Sequence, residues 1–143
     1  MDKNKELSAS ITLVNDKLNF SANVEGNPPF SIDYIPPLGD NLGYTSLELL
    51  LLSLSSCVGS AVLTFLRKMN KSIGTCVISS NGIRKEEHPT GLREIYILIE
   101  IKSGDVTTED MDKVIQLTEE KYCPVYSMLK GNVDINIDFD IKR

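Results

Sequence analysis

Apolar and polar residues alternate through the first part of the chain. Leu7, Ala9, Ile11 and Leu13 are separated by mostly polar positions, and Leu18, Phe20, Ala22 and Val24 repeat the pattern. A period of two is the mark of a strand with one face covered. Asn15-Asp16-Lys17 between the runs predicts a hairpin turn, because Asn and Asp side chains bond their own backbone two residues on. Phe30, Ile32 and Tyr34 predict a third strand. Pro36-Pro37-Leu38-Gly39-Asp40-Asn41-Leu42-Gly43-Tyr44 continues neither strand nor helix and is a loop.

The period then changes. Leu47, Leu50, Leu51, Leu54, Val58, Ala61, Val62 and Phe65 recur at helical spacing. Thr45 and Glu48 stand three apart, as in a capping box that opens a helix. Leu49 and Leu52 fall off the stripe, so the helix is apolar on most sides and is expected to be buried. It should end near Asn70. Strands return over about 73–83 and 93–101, with Ile95, Ile97, Ile99 and Ile101 on one face. A second helix is expected from about Thr108 to Tyr122, capped by Thr107 and Asp110, with Met111, Val114, Ile115 and Thr118 inside. A short helix follows Cys123. Val133, Ile135, Ile137, Phe139 and Ile141 alternate with acidic or amide residues in a last strand. The order βββ-α-ββ-α-α-β is an α+β arrangement with mostly antiparallel sheet. One domain over 1–143 is expected, with no internal repeat.

Composition narrows the function classes. A net charge of −5 and no dense basic run speak against nucleic acid, since phosphate neutralisation needs clustered Lys and Arg. The start, Met-Asp-Lys-Asn-Lys-Glu, has no apolar core, so no signal peptide is expected. The leucine-rich segment is interrupted by Glu48, Ser53, Ser55 and Ser56 and reads as too short and too polar for a membrane span. Three cysteines in no framework spacing point to a cytoplasmic protein with reduced thiols. With no Cys-x-x-Cys and one histidine, no metal site is expected.

The candidate chemistry lies in two cysteines. Pro124 is favoured at a first helical position, which makes Cys123 the N-cap. There the sulfur faces unpaired amides and the positive end of the helix dipole, an arrangement that lowers a thiol pKa. Lys121 can add to this if it points the same way. Cys57 lies about ten residues into its helix, roughly 15 Å from the start, where the dipole does little. Its apolar setting raises a thiol pKa, so its activation needs a positive group from elsewhere. Ser55, Ser56, Gly59 and Ser60 around it let another segment approach closely. Cys76, within a strand, reads as packing. The residues alone do not join Cys57 to Cys123.

A resemblance joins them. Thr-Ser-Leu-Glu-Leu-Leu-Leu-Leu-Ser-Leu-Ser-Ser-Cys at 45–57 and Glu-Glu-Lys-Tyr-Cys-Pro-Val-Tyr-Ser-Met-Leu at 119–129 resemble the two cysteine motifs of the OsmC/Ohr proteins. The turn at Gly39–Gly43 and Glu87-His88-Pro89 also look like that family. The resemblance implies an OsmC-like intertwined homodimer, its sheets wrapped around two central helices, with sites at the subunit interface. It implies Cys57 as the peroxidatic residue and Cys123 as the resolving one. It further implies organic hydroperoxides as substrates, and no cofactor beyond an external dithiol reductant, lipoyl or thioredoxin-like. In the family's peroxidases an N-terminal arginine sits beside the reactive thiolate and a glutamate stands ten residues before it. Here no arginine precedes Arg67, and the glutamate position is Leu47. The chain therefore resembles the OsmC-like branch that lacks both.

Other residues fit simpler roles. His88 sits in a charged loop with no evident partner. Tyr122 and Tyr126 flank Cys123 and suit packing, though either hydroxyl has reach to a sulfur. Asp33 either faces the pocket or caps a turn. Beside the peroxidase reading stand two others: a non-catalytic dimer binding an apolar small molecule, and a thiol redox or stress-response protein that oxidises without turnover.

Overall fold

The structure is a computed structural model that describes residues 2–143. The chain divides into two compact units, Met1–Leu49 and Leu50–Arg143. The first is an antiparallel three-stranded sheet, β1 (Ser10–Leu13), β2 (Phe20–Asn23) and β3 (Phe30–Ile32), in that order. β1 is shorter than the alternation suggests, and Leu7 and Ala9 lie outside it. Asn15 makes the expected turn, its side-chain oxygen accepting from the N–H groups of Lys17 and Asn19 at 3.1 Å.

Asp33 settles between its two expectations as a turn cap. It is fully buried, and its carboxylate accepts from the backbone N–H of Tyr34 (2.7 Å), Asp40 (3.2 Å) and Leu42 (3.1 Å). Burial pushes its pKa up, but the three amide donors outweigh it and hold the carboxyl below its ordinary value. Gly39 is required in this loop, since a Cβ there would collide with the Asp33 carboxylate and the Tyr34 carbonyl.

The long helix α1 (Ser46–Lys68) opens with the predicted capping box. Glu48 N–H donates to Thr45 Oγ1 at 3.3 Å, and Thr45 N–H donates to Glu48 Oε1 at 2.9 Å. Leu54, Val58, Val62 and Leu66 form its fully buried stripe. At 23 residues α1 is long and apolar enough to cross a membrane, which corrects the expectation that it is too short and too polar. The serines weigh little against so many leucines, and its charges gather at the two ends. The same stripe is the core of the second unit.

That core is completed by β4 (Thr75–Arg84), β5 (Leu92–Lys102) and β6 (Asp134–Lys142). β4 and β5 are antiparallel, while β5 and β6 run parallel from Glu94↔Asp134 to Lys102↔Lys142. Ile95, Ile97, Ile99 and Ile101 are buried as one face. Gly59 of α1 faces Ile78 of β4 so closely that a Cβ would strike its side chain. α2 (Thr108–Leu117) carries the predicted capping box between Thr107 and Asp110.

The sequence predicts one helix from Thr108 to Tyr122. Instead its last turn, Thr118–Tyr122, is wound as a π-helix. Thr118 is fully buried and turns its hydroxyl back to the Val114 carbonyl at 2.7 Å. The wider turn closes with Cys123 N–H donating to the Thr118 carbonyl at 3.1 Å. Helix α3 (Pro124–Leu129) begins at the next residue.

Candidate functional site: two thiols beside a cleft

Cys57 stands mid-way along α1. Ser60, Ala61, Thr64, Phe65 and Lys68 follow it at three, four, seven, eight and eleven residues, the spacings that share one helical face. These six residues line one side of a cleft of about 410 Å³, with Tyr122 and Pro124 on the other. Phe65 meets Tyr122 edge to face, ring centroids 4.8 Å apart. Sequence reasoning placed Phe65 in the core stripe and passed over Thr64 and Lys68. Counting helical turns from Cys57 finds them all.

Cys123 is the N-cap of α3, as Pro124 requires. Its sulfur accepts from Tyr126 N–H at 3.3 Å, and its carbonyl accepts from Ser127 N–H at 3.0 Å. The Cys57 side chain adjoins it closely enough to act on its ionisation, and both thiols are free. The two residues that sequence physics left unconnected are thus neighbours.

Two expectations about these thiols are corrected. The sequence suggests a buried Cys57 in an apolar helix and a Cys123 acidified at an N-cap. Cys57 is instead half-buried on the cleft, while Cys123 is only 2% exposed. The N-cap was expected to acidify Cys123. Its pKa is instead pushed up to about 11, first by burial and then by the adjoining Cys57 side chain. The Tyr126 amide pulls the other way and loses. Lys121 sets its ammonium over the Tyr122 ring, 5.9 Å from the centroid.

The remaining candidates fall away from the thiols. Cys76 lies on β4 opposite Ile101, and burial raises its pKa, in keeping with a packing role. His88 is exposed in its loop. Glu48 is occupied by the helix cap, with its carboxyl held low by the Thr45 amide. Tyr126 offers Cys123 its backbone N–H, and its phenol is pushed up by burial, then by Glu119 and Cys123. Glu119, in the π-turn, is pushed up by burial and by Glu120. Among the described residues no three metal-ligating side chains cluster.

A thiol that meets solvent beside one that does not can be oxidised at the first sulfur and closed into a disulfide by the second. The chain that carries this pair is an α+β fold. Residues 39–138 match the family model described as OsmC-like protein, and the chain belongs to that family. Protein YhfA of Escherichia coli (strain K12) is 24% identical over 95 residues, 66% of this chain and 71% of that one. The OsmC like protein from Mycoplasma pneumoniae superposes with a TM-score of 0.83 at 22% identity, over 100% of both chains. The organic hydroperoxide resistance protein OhrB of Bacillus subtilis superposes at 0.66 and 16% identity, over 94% of this chain and 98% of that one.

Proposed function

We propose that this protein is a two-cysteine thiol peroxidase of organic hydroperoxides. The Cys57 thiolate attacks the outer oxygen of the hydroperoxide. The O–O bond breaks, the alcohol leaves with the proton, and Cys57 becomes a sulfenic acid. The Cys123 sulfur then displaces that hydroxyl, giving a Cys57–Cys123 disulfide and water. An external dithiol reductant takes the oxidation onto itself and restores both thiols.

The observation that carries this reading is the division of labour between neighbouring sulfurs. Cys57 opens onto a cleft, while Cys123 is shielded and held as a thiol. An oxidant therefore meets Cys57 first, and the resolving thiol is kept from side reactions until a sulfenic acid forms beside it. The apolar and aromatic lining suits an organic hydroperoxide better than a small polar one. The likeness in fold to the organic hydroperoxide resistance protein OhrB of Bacillus subtilis points the same way.

We extend the reading to a cytoplasmic homodimer formed by a single domain spanning 1–143. Only 33% of the most apolar stretch of α1 is buried in one chain, and Leu52 is 53% exposed. The Ser55 hydroxyl is buried with no hydrogen-bond partner among the described residues, beside Ser56, Gly59 and Ser60. A second copy packed on that face covers the leucines and offers the hydroxyl a partner. Sedimentation velocity of the full chain is expected to show a dimer, and a monomer at all concentrations contradicts this part.

The decisive experiment is consumption of cumene hydroperoxide by the reduced protein with dihydrolipoamide or a thioredoxin system. Mass spectrometry of the oxidised protein is expected to find the Cys57–Cys123 linkage. If no dithiol supports turnover, the enzyme reading is lost. If thiols oxidise once without cycling, the protein is a redox or stress-response sensor instead.

A further inference from the structure

We propose that α3 is a redox-gated cover: closing the Cys57–Cys123 disulfide takes away its N-terminal cap, its first turn opens, and a dithiol reductant reaches the bond. The inference rests on the disulfide of the peroxidase reading and adds how the oxidised pair is released from its shield. α3 spans six residues, Pro124–Leu129, and none of them is buried. A helix that short does not hold itself, because its nucleus is costly. Its first turn hangs on one residue. Pro124 has no N–H, and Cys123 N–H is taken by the Thr118 carbonyl at 3.1 Å. The next two amides, Val125 and Tyr126, both act on the Cys123 sulfur, the Tyr126 bond at 3.3 Å. The resolving sulfur is therefore also the cap. The far end of α3 is tied separately, with Lys130 N–H on the Tyr126 carbonyl at 2.9 Å and Val133 N–H on the Leu129 carbonyl at 3.2 Å.

Bond formation sets two sulfurs about 2.05 Å apart, whereas non-bonded heavy atoms keep roughly 3.5 Å or more. One side must move to close the difference. Cys57 belongs to α1, whose Leu54, Val58 and Val62 are fully buried on either side of it. Nothing in α3 is anchored in that way. The motion therefore falls on Cys123 and draws its sulfur off the Tyr126 amide. In the same step Cys123 gives its proton to the departing hydroxyl, which leaves as water. While the pair is reduced, Cys123 is only 2% exposed. Once it is oxidised, the cover loosens at the bond that the reductant must attack. One reductant sulfur joins a cysteine sulfur, the other cysteine leaves as a thiolate, and the second reductant sulfur then closes the reductant's own disulfide. Both thiols are restored, and Cys123 resumes its place as the cap.

The test is backbone amide exchange, read by NMR on the full chain, reduced and then oxidised with diamide. Diamide takes up the two thiol hydrogens itself, so no peroxidase activity is needed. With the Cys57–Cys123 linkage confirmed by mass spectrometry, the Tyr126 and Ser127 amides are expected to exchange about fivefold faster, the effect of one lost cap. Lys130 and Val133 are expected to keep their rates, and Cys57→Ser treated alike is expected to show no change. Unchanged exchange at Tyr126 in linked protein overturns the proposal, as does equal acceleration at Lys130 and Val133, or failure of diamide to join the two sulfurs. If the first turn opens on oxidation but no hydroperoxide is turned over, the peroxidase reading fails and the gate stands. The covering role is read from reduction of the linked protein by dithiothreitol. Ser127 is exposed on α3, so Ser127→Gly weakens the helix and Ser127→Ala strengthens it without touching either sulfur. Reduction is expected to be about twofold faster in the first and about twofold slower in the second. Rates that ignore both substitutions overturn the role as a cover.

Discussion

The N-termini of α2 and α3 solve one problem with opposite electrostatic results. Each helix begins with amides that have no partner in the preceding turn, and each finds a side chain to accept from them. At α2 the acceptor is Thr107, and Asp110 returns a bond to the Thr107 amide while pairing with Lys71 at 3.0 Å. The Asp110 carboxyl is drawn down, first by that amide and then by Lys71. At α3 the acceptor is Cys123, and its thiol is driven up. The helix terminus is favourable to negative charge in both places. What differs is the surroundings: solvent and a cation at one, burial and another thiol at the other. A helix N-cap therefore does not by itself acidify a cysteine.

The largest effect that probes this contrast is chemical. If the burial of Cys123 reserves it for resolution, Cys57→Ser should reduce hydroperoxide turnover at least about 100-fold, a loss of roughly 2.7 kcal/mol in transition-state stabilisation. Alkylation of the reduced wild type at neutral pH should label Cys57 well before Cys123, read by peptide mass mapping. Faster labelling of Cys123 would reverse the assignment of the two roles.

The next effect is on stability at alkaline pH. The Cys123 pKa is raised from the ordinary 9.0 to about 11 on folding. A raised folded-state pKa contributes stability that is whole below pH 9 and is lost as pH climbs towards 11. Reduced protein should therefore weaken across that window by roughly 1–3 kcal/mol. Thiolate absorbance in Cys57→Ala should show Cys123 ionising at lower pH, because the neighbouring thiol no longer opposes it. An unchanged titration would assign the whole shift to burial.

The same contrast explains what the chain disclosed in advance. Thr45 with Glu48, Thr107 with Asp110, and Cys123 with Pro124 were legible because capping is decided within four residues. The Ile95-Ile97-Ile99-Ile101 face was legible because period two survives any arrangement of neighbours. The exposure of the two thiols was not, because it depends on what other segments cover them. Leucines around Cys57 suggested burial, yet that face of α1 borders the cleft. The parallel pairing of β6 with β5 left no trace in the alternation of either strand. The π-turn over Thr118–Tyr122 was not legible either, since a helical pattern of apolar residues does not tell one winding from the other. The juxtaposition of Cys57 and Cys123 was reached only by resemblance.

A smaller effect tests the ordinary member of the pair. Thr107→Ala removes the acceptor for Asp110 N–H at α2 and should cost about 1 kcal/mol in chemical denaturation. The Asp110 carboxyl is held low, so its contribution is present above the ordinary aspartate value of 3.8 and fades as pH falls through the lower folded value. The acid limb of the stability profile should flatten in Asp110→Asn, and an unaltered limb would remove Asp110 from the account.

The smallest expected effect is the most telling. Serine caps helices well, and its hydroxyl can accept from Tyr126 N–H where the Cys123 sulfur now does. Cys123→Ser should thus keep α3 in place and change stability by less than about 1 kcal/mol at neutral pH. It should also remove the alkaline weakening between pH 9 and 11, since the hydroxyl does not ionise there. With hydroperoxide, the variant should stop at a Cys57 sulfenic acid that dimedone traps, and form no intramolecular disulfide. Structure, alkaline behaviour and resolving chemistry then separate in one substitution. If Cys123→Ser unfolds the protein, or cycles with a dithiol as fast as the wild type, the buried sulfur is serving packing and not resolution.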